Sequence, residues 1–564
     1  MCCYCFAQER DYVLTVELSR GKAESEILEF NFSDSLAIQS FSANVIDSLQ
    51  REGYLNMESK LLFISEKKVL LRLNSGKQYK WIQLRNGNLE PWISASINAG
   101  AYIGKDSPFQ FQRVQQLMEE ILETGQNKGF PFISVKLDSI NIENGQVSAA
   151  LFMDKGPLIR FDTLQITGNS KSQPLYLARK TGILPGEPFS QKKVNQVMDL
   201  LKNNVPYVSL AGSPELSFQN EQATVYLPVN DQRMNAIDGI IGLLPNEIEA
   251  SKWLVTGQFD LQLYNVSGKG RDYLLNWQRL TQYSQNLRLE AREPYILGSR
   301  LDISGAFSFL KEDTTFLNRD FTFKVGYQMA AHTYIDFFGK WQAGDLLSVS
   351  RYENATELPE VADFRYNNYG AVLHYTNVDD LIVPKSGWRS NLTFGIGNKI
   401  IKENTGISAD LYSGIEKNSL QYYIQGKVDY FLKWKQYFSS RLSLGAGELN
   451  NSNLLLNDLF RLGGLQTIRG FNENFFFTNR YVYLNVEPRY YFGNYSYFLL
   501  FMDFGMLEEQ VSRQARDWPF SFGGGLSLET AGGIFNFVYA LGKAANQPLG
   551  FNYSRIHFGF TGRF

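Results

Sequence analysis

Apolar and polar positions follow two different rhythms along this chain, and the change falls near residue 234. Before it, segments with apolar residues every three or four positions alternate with segments of period two, as helices interleaved with strands would. An amphipathic helix over "FSANVIDSLQREGY" (41–54) precedes a strand pair over "KLLFISEKKVLLRL" (60–73). A second copy runs from "FQRVQQLMEEILETGQNKGF" (111–130) into "SVKLDSINIENGQVSAALFM" (134–153), and a third from "SQKKVNQVMDLLKNN" (190–204) into "ELSFQNEQATVYLPV" (215–229). "GKQYKWIQLRNGN" (76–88) and "GPLIRFDTLQITGN" (156–169) share a Gly, an aromatic five residues on, and a closing Gly-Asn. The repeat of about eighty residues predicts three α+β units over 11–78, 79–157 and 158–232, each reading strand, helix pair, strand, strand.

Beyond 234 strict alternation takes over. In "YVYLNVEPRYYF" (481–492) Val482, Leu484, Val486, Tyr490 and Phe492 share one face, and Tyr483, Asn485, Glu487 and Arg489 the other. "LQYYIQGKVDYFL" (420–432) and "LDISGAFSF" (301–309) split the same way. Runs of about ten residues exceed the ~5–6 of a soluble sandwich strand and suit a tilted strand crossing a bilayer. Sixteen such segments are legible from 235 to the end. Short connections at 268–270, 330–331, 493–494 and 531–533 contrast with long ones at 344–365, 399–418 and 450–479. The pattern predicts an all-β, 16-stranded antiparallel transmembrane barrel over 234–564, with short turns and the N-terminal repeats on one side of the membrane. Closure follows because lipid cannot satisfy an open strand edge.

Composition supports strands rather than helices as the membrane-crossing elements. Aromatic residues make up 14% of the chain, yet mean hydropathy is −0.25 and no apolar stretch reaches the ~18 residues of a spanning helix. A net charge of −2 leaves no basic footprint for a nucleic acid. Cys2, Cys3 and Cys5 all lie at the very start, so the remainder holds no disulfide and no cysteine-based metal site. Residues 1–10, "MCCYCFAQER", read as a residual signal-peptide segment cleaved near Ala7 or Gln8. The histidines are His332, His374 and His557, and no G-x-S-x-G elbow occurs, so neither an enzyme nor a metal or cofactor site is expected.

"RLGGLQTIRGF" (461–471) falls in the long connection between the eleventh and twelfth strands, the sixth on the long-loop side. The chain resembles the BamA/TamA superfamily of outer-membrane assembly and translocation barrels, the bacterial surface antigen family, whose repeats are POTRA domains. In that family the sixth loop carries a [VI]-R-G-[FY] motif folded back into the lumen. Ile468, Arg469, Gly470 and Phe471 match it, alongside "DGIIGLLPN" (238–246), "REPYILGS" (292–299) and "DDLIVPKSGW" (379–388). The resemblance implies POTRA repeats in the periplasm and a barrel in the bacterial outer membrane.

An arginine confined in a lumen needs a carboxylate partner, because an unpaired buried charge is costly. Alternation turns Glu487 inward, and in "YFLLFMDFG" (497–505) it sets Phe498, Leu500, Met502 and Phe504 outward and Asp503 inward. The family's motif arginine contacts acidic residues on these two strands, so the resemblance implies a cluster of Arg469, Glu487 and Asp503, with Gly470 supplying a turn. The closing "HFGFTGRF" places Phe558, Phe560 and Phe564 on one face and resembles the terminal signal read by strand addition during outer-membrane insertion. Gly239 and Gly242 in strand one and Gly559 and Gly562 in strand sixteen should weaken their mutual pairing. The resemblance implies a lateral seam there.

The expected function is therefore assembly or insertion of other outer-membrane proteins. Its expected partners are unfolded outer-membrane or secreted client proteins, outer-membrane lipid, and periplasmic or lipoprotein accessory subunits. A polypeptide secretion channel or passive outer-membrane pore is the alternative.

Overall fold

The computed structural model describes residues 12–19, 25–97, 102–245, 253–279, 284–312, 314–349, 352, 355–512, 516–530 and 532–563; the signal-peptide segment 1–10 and Phe564 lie outside the described residues. One compact unit takes the chain up to Asp162 together with Pro185–Val194 and Phe218–Ala223, and the second takes Thr163–Leu184, Asn195–Ser217 and everything from Thr224.

The first repeat comprises β1 (Tyr12–Ser19), β2 (Ser25–Phe32), α1 (Ser35–Arg51), β3 (Glu58–Ser65) and β4 (Lys68–Asn74), with sheet order β2-β1-β4-β3. The Asp34 side chain caps α1 by accepting the Ala37 N–H at 2.7 Å, and Ile38 then packs on Leu14, Val16, Leu71 and Leu73. Here the structure corrects the sequence reading, since β2 stands where the first helix of a pair was expected. The reason lies in "SEILEFNF", whose Leu28, Phe30 and Phe32 recur with period two and pair antiparallel with Val16, Leu14 and Tyr12 of β1.

In the second repeat, strand Lys80–Arg85 lies parallel to Gln146–Asp154, which pairs with Ser134–Glu143 under helix Phe111–Gln126. The third has helices Pro174–Thr181 and Gln191–Asn204 and a sheet ordered Glu215–Gln219, Gln222–Leu227, Arg160–Ile166.

From Ala236 the chain forms a closed barrel of sixteen strands, as the alternation predicts. Strand one is Ala236–Pro245, strand two Trp253–Val266, strand twelve Arg480–Tyr491, strand thirteen Tyr497–Glu508, strand fifteen Gly533–Lys543 and strand sixteen Arg555–Arg563. Phe321, Phe323, Trp341, Leu392, Phe394, Leu500 and Met502 are all exposed on the outside. So large an apolar belt is at home only against lipid. Trp388 against Tyr430 (4.3 Å between centroids) and Phe492 against Phe498 (5.0 Å) add aromatic pairs to the outer face. Among the described residues no helix is long and apolar enough to cross a membrane.

Candidate functional site

The long connection between strands eleven and twelve does not leave the barrel. Phe460–Leu462 pairs antiparallel with Phe476–Thr478, so residues 463–475 form the tip of a hairpin, and the tip carries the motif. Local bonds shape it: Thr467 Oγ1 accepts the Gly463 N–H at 2.8 Å, and Glu473 Oε1 accepts that of Leu465 at 2.9 Å. Gly470 has φ +84°, and a Cβ there would lie 2.9 Å from the Gly542 nitrogen of strand fifteen, so both conformation and space demand glycine.

Arg469 is buried at the centre of a four-charge cluster. Its backbone N–H and Nε each donate to Asp503 Oδ2 at 2.9 Å, and Nη2 donates to Asp503 Oδ1 at 2.7 Å. Nη1 donates to Glu487 Oε2, while Arg489 Nη2 lies 2.7 Å from Glu487 Oε1. The guanidinium also stacks 3.8 Å above the Phe501 ring. Two guanidinium groups thus face two carboxylates, all at most 6% exposed, and the fork-to-fork geometry that offsets their desolvation is present. Ile468 and Phe471 flank the arginine, fully buried with Leu462, Phe476, Tyr481 and Leu507. Gly505 and Gly542 leave the room they occupy. Asn485 Nδ2 donates to Thr467 O at 2.7 Å.

A family model of the Omp85 superfamily domain matches residues 265–564, more than half of the chain. The chain belongs to the Omp85 superfamily. Among solved structures, CdiB from Escherichia coli is 12% identical over 94% of this chain and 98% of its own, with a TM-score of 0.56. CdiB from Acinetobacter baumannii is also 12% identical, over 86% of this chain and 90% of its own, with a TM-score of 0.54. BamA from Haemophilus ducreyi lacking POTRA domains 1–3 is 14% identical over 86% of this chain and 100% of its own, with a TM-score of 0.44. At 12% identity the likeness to the two CdiB structures is one of fold. No curated protein sequence matches significantly.

Among the described residues the ladder between strands one and sixteen is the shortest in this Omp85 barrel. Strand one pairs with strand two at ten positions, from Ala236↔Gln262 to Pro245↔Trp253. Strand sixteen pairs with strand fifteen at eight, from Gly533↔Gly562 to Ala540↔Arg555. Between strands one and sixteen the described pairs are two, Ala236↔Arg563 and Ile237↔Gly562. Of the seam glycines named from sequence, only Gly562 pairs across; Gly239 and Gly242 pair with Phe259 and Thr256 of strand two, and Gly559 with Asn536. Phe558 pairs with Phe537, and Phe560 packs on Phe535 at 4.4 Å.

Two further anchor sets escaped the sequence reading. At the long-loop end Lys399 is fully buried, paired with Asp458 of the sixth loop, and donates to Asn453 O at 2.9 Å. Phe364, Tyr366, Ile401, Ile407, Tyr412 and Leu455 pack around the same end. At the other end helix Pro174–Thr181 docks under the barrel: Gln173 N–H donates to Gly268 O at 2.8 Å and Lys180 Nζ to Gln328 Oε1 at 3.3 Å. Arg292 joins Asp302 there at 3.1 Å, and its Nε donates to Asp272 at 2.9 Å. Local sequence offers no signal for the Lys399–Asp458, Gln173–Gly268 and Lys180–Gln328 contacts, because each unites distant segments.

Burial, reinforced by the Arg292 charge, pushes the Lys180 ammonium down from 10.5 to about 8. Between those values the unfolded chain holds the extra proton, so stability rises with pH from about 8 to 10.5, and the full penalty is present below pH 8. Lys180→Met should therefore stabilise the protein near neutrality, by at most about 3 kcal/mol. Thermal unfolding at pH 7 and pH 10.5 checks this: the gain should vanish at the higher pH, and a gain independent of pH would contradict it.

Proposed function

We propose that this Omp85 chain is an outer-membrane protein assembly factor. Residues 11–78, 79–157 and 158–232 act as three POTRA repeats in the periplasm and receive unfolded client proteins, and the barrel seam assists their insertion. The observation that carries the reading is the two-pair ladder between strands one and sixteen. Each of these strands is well paired on its other side, and among the described residues no pair joins them beyond Ile237, so their facing edges offer backbone donors and acceptors to a client strand. Lipid offers no substitute for those hydrogen bonds, which supplies a driving force without nucleotide, cofactor or catalysis. The lumen is occupied by the locked hairpin, which favours a lateral route over a passive pore.

Capture by the repeats has a specific candidate edge. β3 borders its sheet and exposes Leu62, Phe63 and Ile64 at 43, 64 and 64%. A photoreactive residue at Phe63 of the full chain should crosslink to unfolded barrel peptides that end in an aromatic strand. Equal capture of peptides with scrambled alternation would remove strand addition as the mechanism. Depletion of the protein followed by an inventory of outer-membrane proteins tests the wider reading; an unchanged inventory would overturn it.

A further inference from the structure

The hairpin tip touches more of the barrel than its arginine lock requires. On one side Arg469 fixes it to strands twelve and thirteen. On the other, Arg555 at the start of strand sixteen donates from Nε to Asn472 Oδ1 at 2.8 Å, one residue beyond Phe471. Gln547, in the connection between strands fifteen and sixteen, is 3% exposed and donates from Nε2 to Gly470 O at 3.2 Å and to Gly542 O at 3.0 Å. Phe471 lies against the Gly542 backbone of strand fifteen. His557, the next inward position on strand sixteen, sits near Arg469 and Arg555, and its Nε2 is buried without a hydrogen-bond partner among the described residues. The tip therefore spans from a fully paired part of the wall to the last hairpin of the barrel, whose outer strand is the seam strand.

We propose that the Asn472–Arg555 and Gly470–Gln547 contacts make the sixth loop a brace that holds strand sixteen in the closed position, with Arg555 and Gln547 as positioning residues for the seam. The inference rests on the seam reading above. Its physical basis is a disparity: two ladder pairs to strand one restrain strand sixteen weakly, whereas a charge-assisted bond and a buried amide tie its hairpin to a loop that is itself locked. Releasing the loop then frees the strand, and the loop rather than the short ladder sets how often the seam opens.

Distance measurements between nitroxide labels on Ile237→Cys and Ile556→Cys test this in the full chain in lipid vesicles, with Cys2, Cys3 and Cys5 replaced by serine. Arg555→Leu and Asn472→Ala should each raise the ratio of long to short distances about tenfold, and together should do no more than either alone. Arg469→Ala should open the seam to a similar degree. Should Arg555→Leu not fold, Asn472→Ala removes the same bond from an exposed loop position and carries the test. Unchanged distances in Asn472→Ala, or additive effects in the double variant, would overturn the brace. The two ideas separate cleanly. If stapling the seam abolishes assembly while these variants leave the distances unchanged, the brace falls and the function stands; if stapling leaves assembly intact, the functional reading falls, and the distances still decide whether loop and strand are coupled.

Discussion

Arg469→Ala should destabilise the barrel by about 3–5 kcal/mol, as expected when one member of a buried, hydrogen-bonded ion cluster is removed. The loss would leave Asp503 without its guanidinium partner and Glu487 with its bond to Arg489 only, both carboxylates still buried. It would also strip three of the hydrogen bonds that Asp503 and Glu487 now receive from the guanidinium. Arg469→Lys should recover only part of the loss, because a single ammonium cannot reproduce a fork that spans two carboxylates. A sharper check is Arg469→Ala combined with Asp503→Asn, which returns the cluster to neutrality. The double variant should be more stable than the sum of the single effects predicts, with a coupling above about 1 kcal/mol. Urea unfolding in lipid vesicles reads these differences. Wild-type stability in Arg469→Ala would reduce the cluster to a decoration on an already rigid wall.

The inward facing of Glu487 and Asp503 was legible before the structure because barrel strands carry their parity in the sequence, whereas their meeting with Arg469 was implied only by the family resemblance. Once Phe498, Leu500, Met502 and Phe504 face lipid, Asp503 must face the lumen, and the same count turns Glu487 inward. Arg489 sits on the same face two residues on, so the second arginine of the cluster was within reach of the same argument. Strand number was legible for the same reason: a lipid-facing residue at every second position is a constraint that soluble folds relax. The first repeat misled because its helix-pair reading came from similarity to its neighbours, while "SEILEFNF" carries its own period-two signal. Lys399 with Asp458, and Lys180 beneath Arg292, were illegible for a different reason. Each is a charged residue whose burial depends on a loop or helix folding over it, and nothing in the adjacent residues announces that cover.

A staple across the seam should leave the protein folded and abolish its assembly activity. Ile237 and Gly562 are Cα partners in the short ladder between strands one and sixteen, so cysteines there meet the separation a disulfide needs, about 4.4–6.8 Å. With Cys2, Cys3 and Cys5 replaced by serine, no competing thiol remains. Oxidation should cost little stability, because the bond joins backbones that already pair, and the heat-sensitive mobility of the barrel on gels should be unchanged. What it removes is freedom: a client strand can add to strand one only if strand sixteen moves aside, whereas passage through the lumen leaves that ladder intact. Folding yield of a client barrel in proteoliposomes should fall to the level of empty vesicles and return on reduction. Full activity with a verified crosslink would reject lateral opening in this chain, and the unlocking of the lumen hairpin around Arg469 would become the route to examine for a polypeptide passing through the barrel.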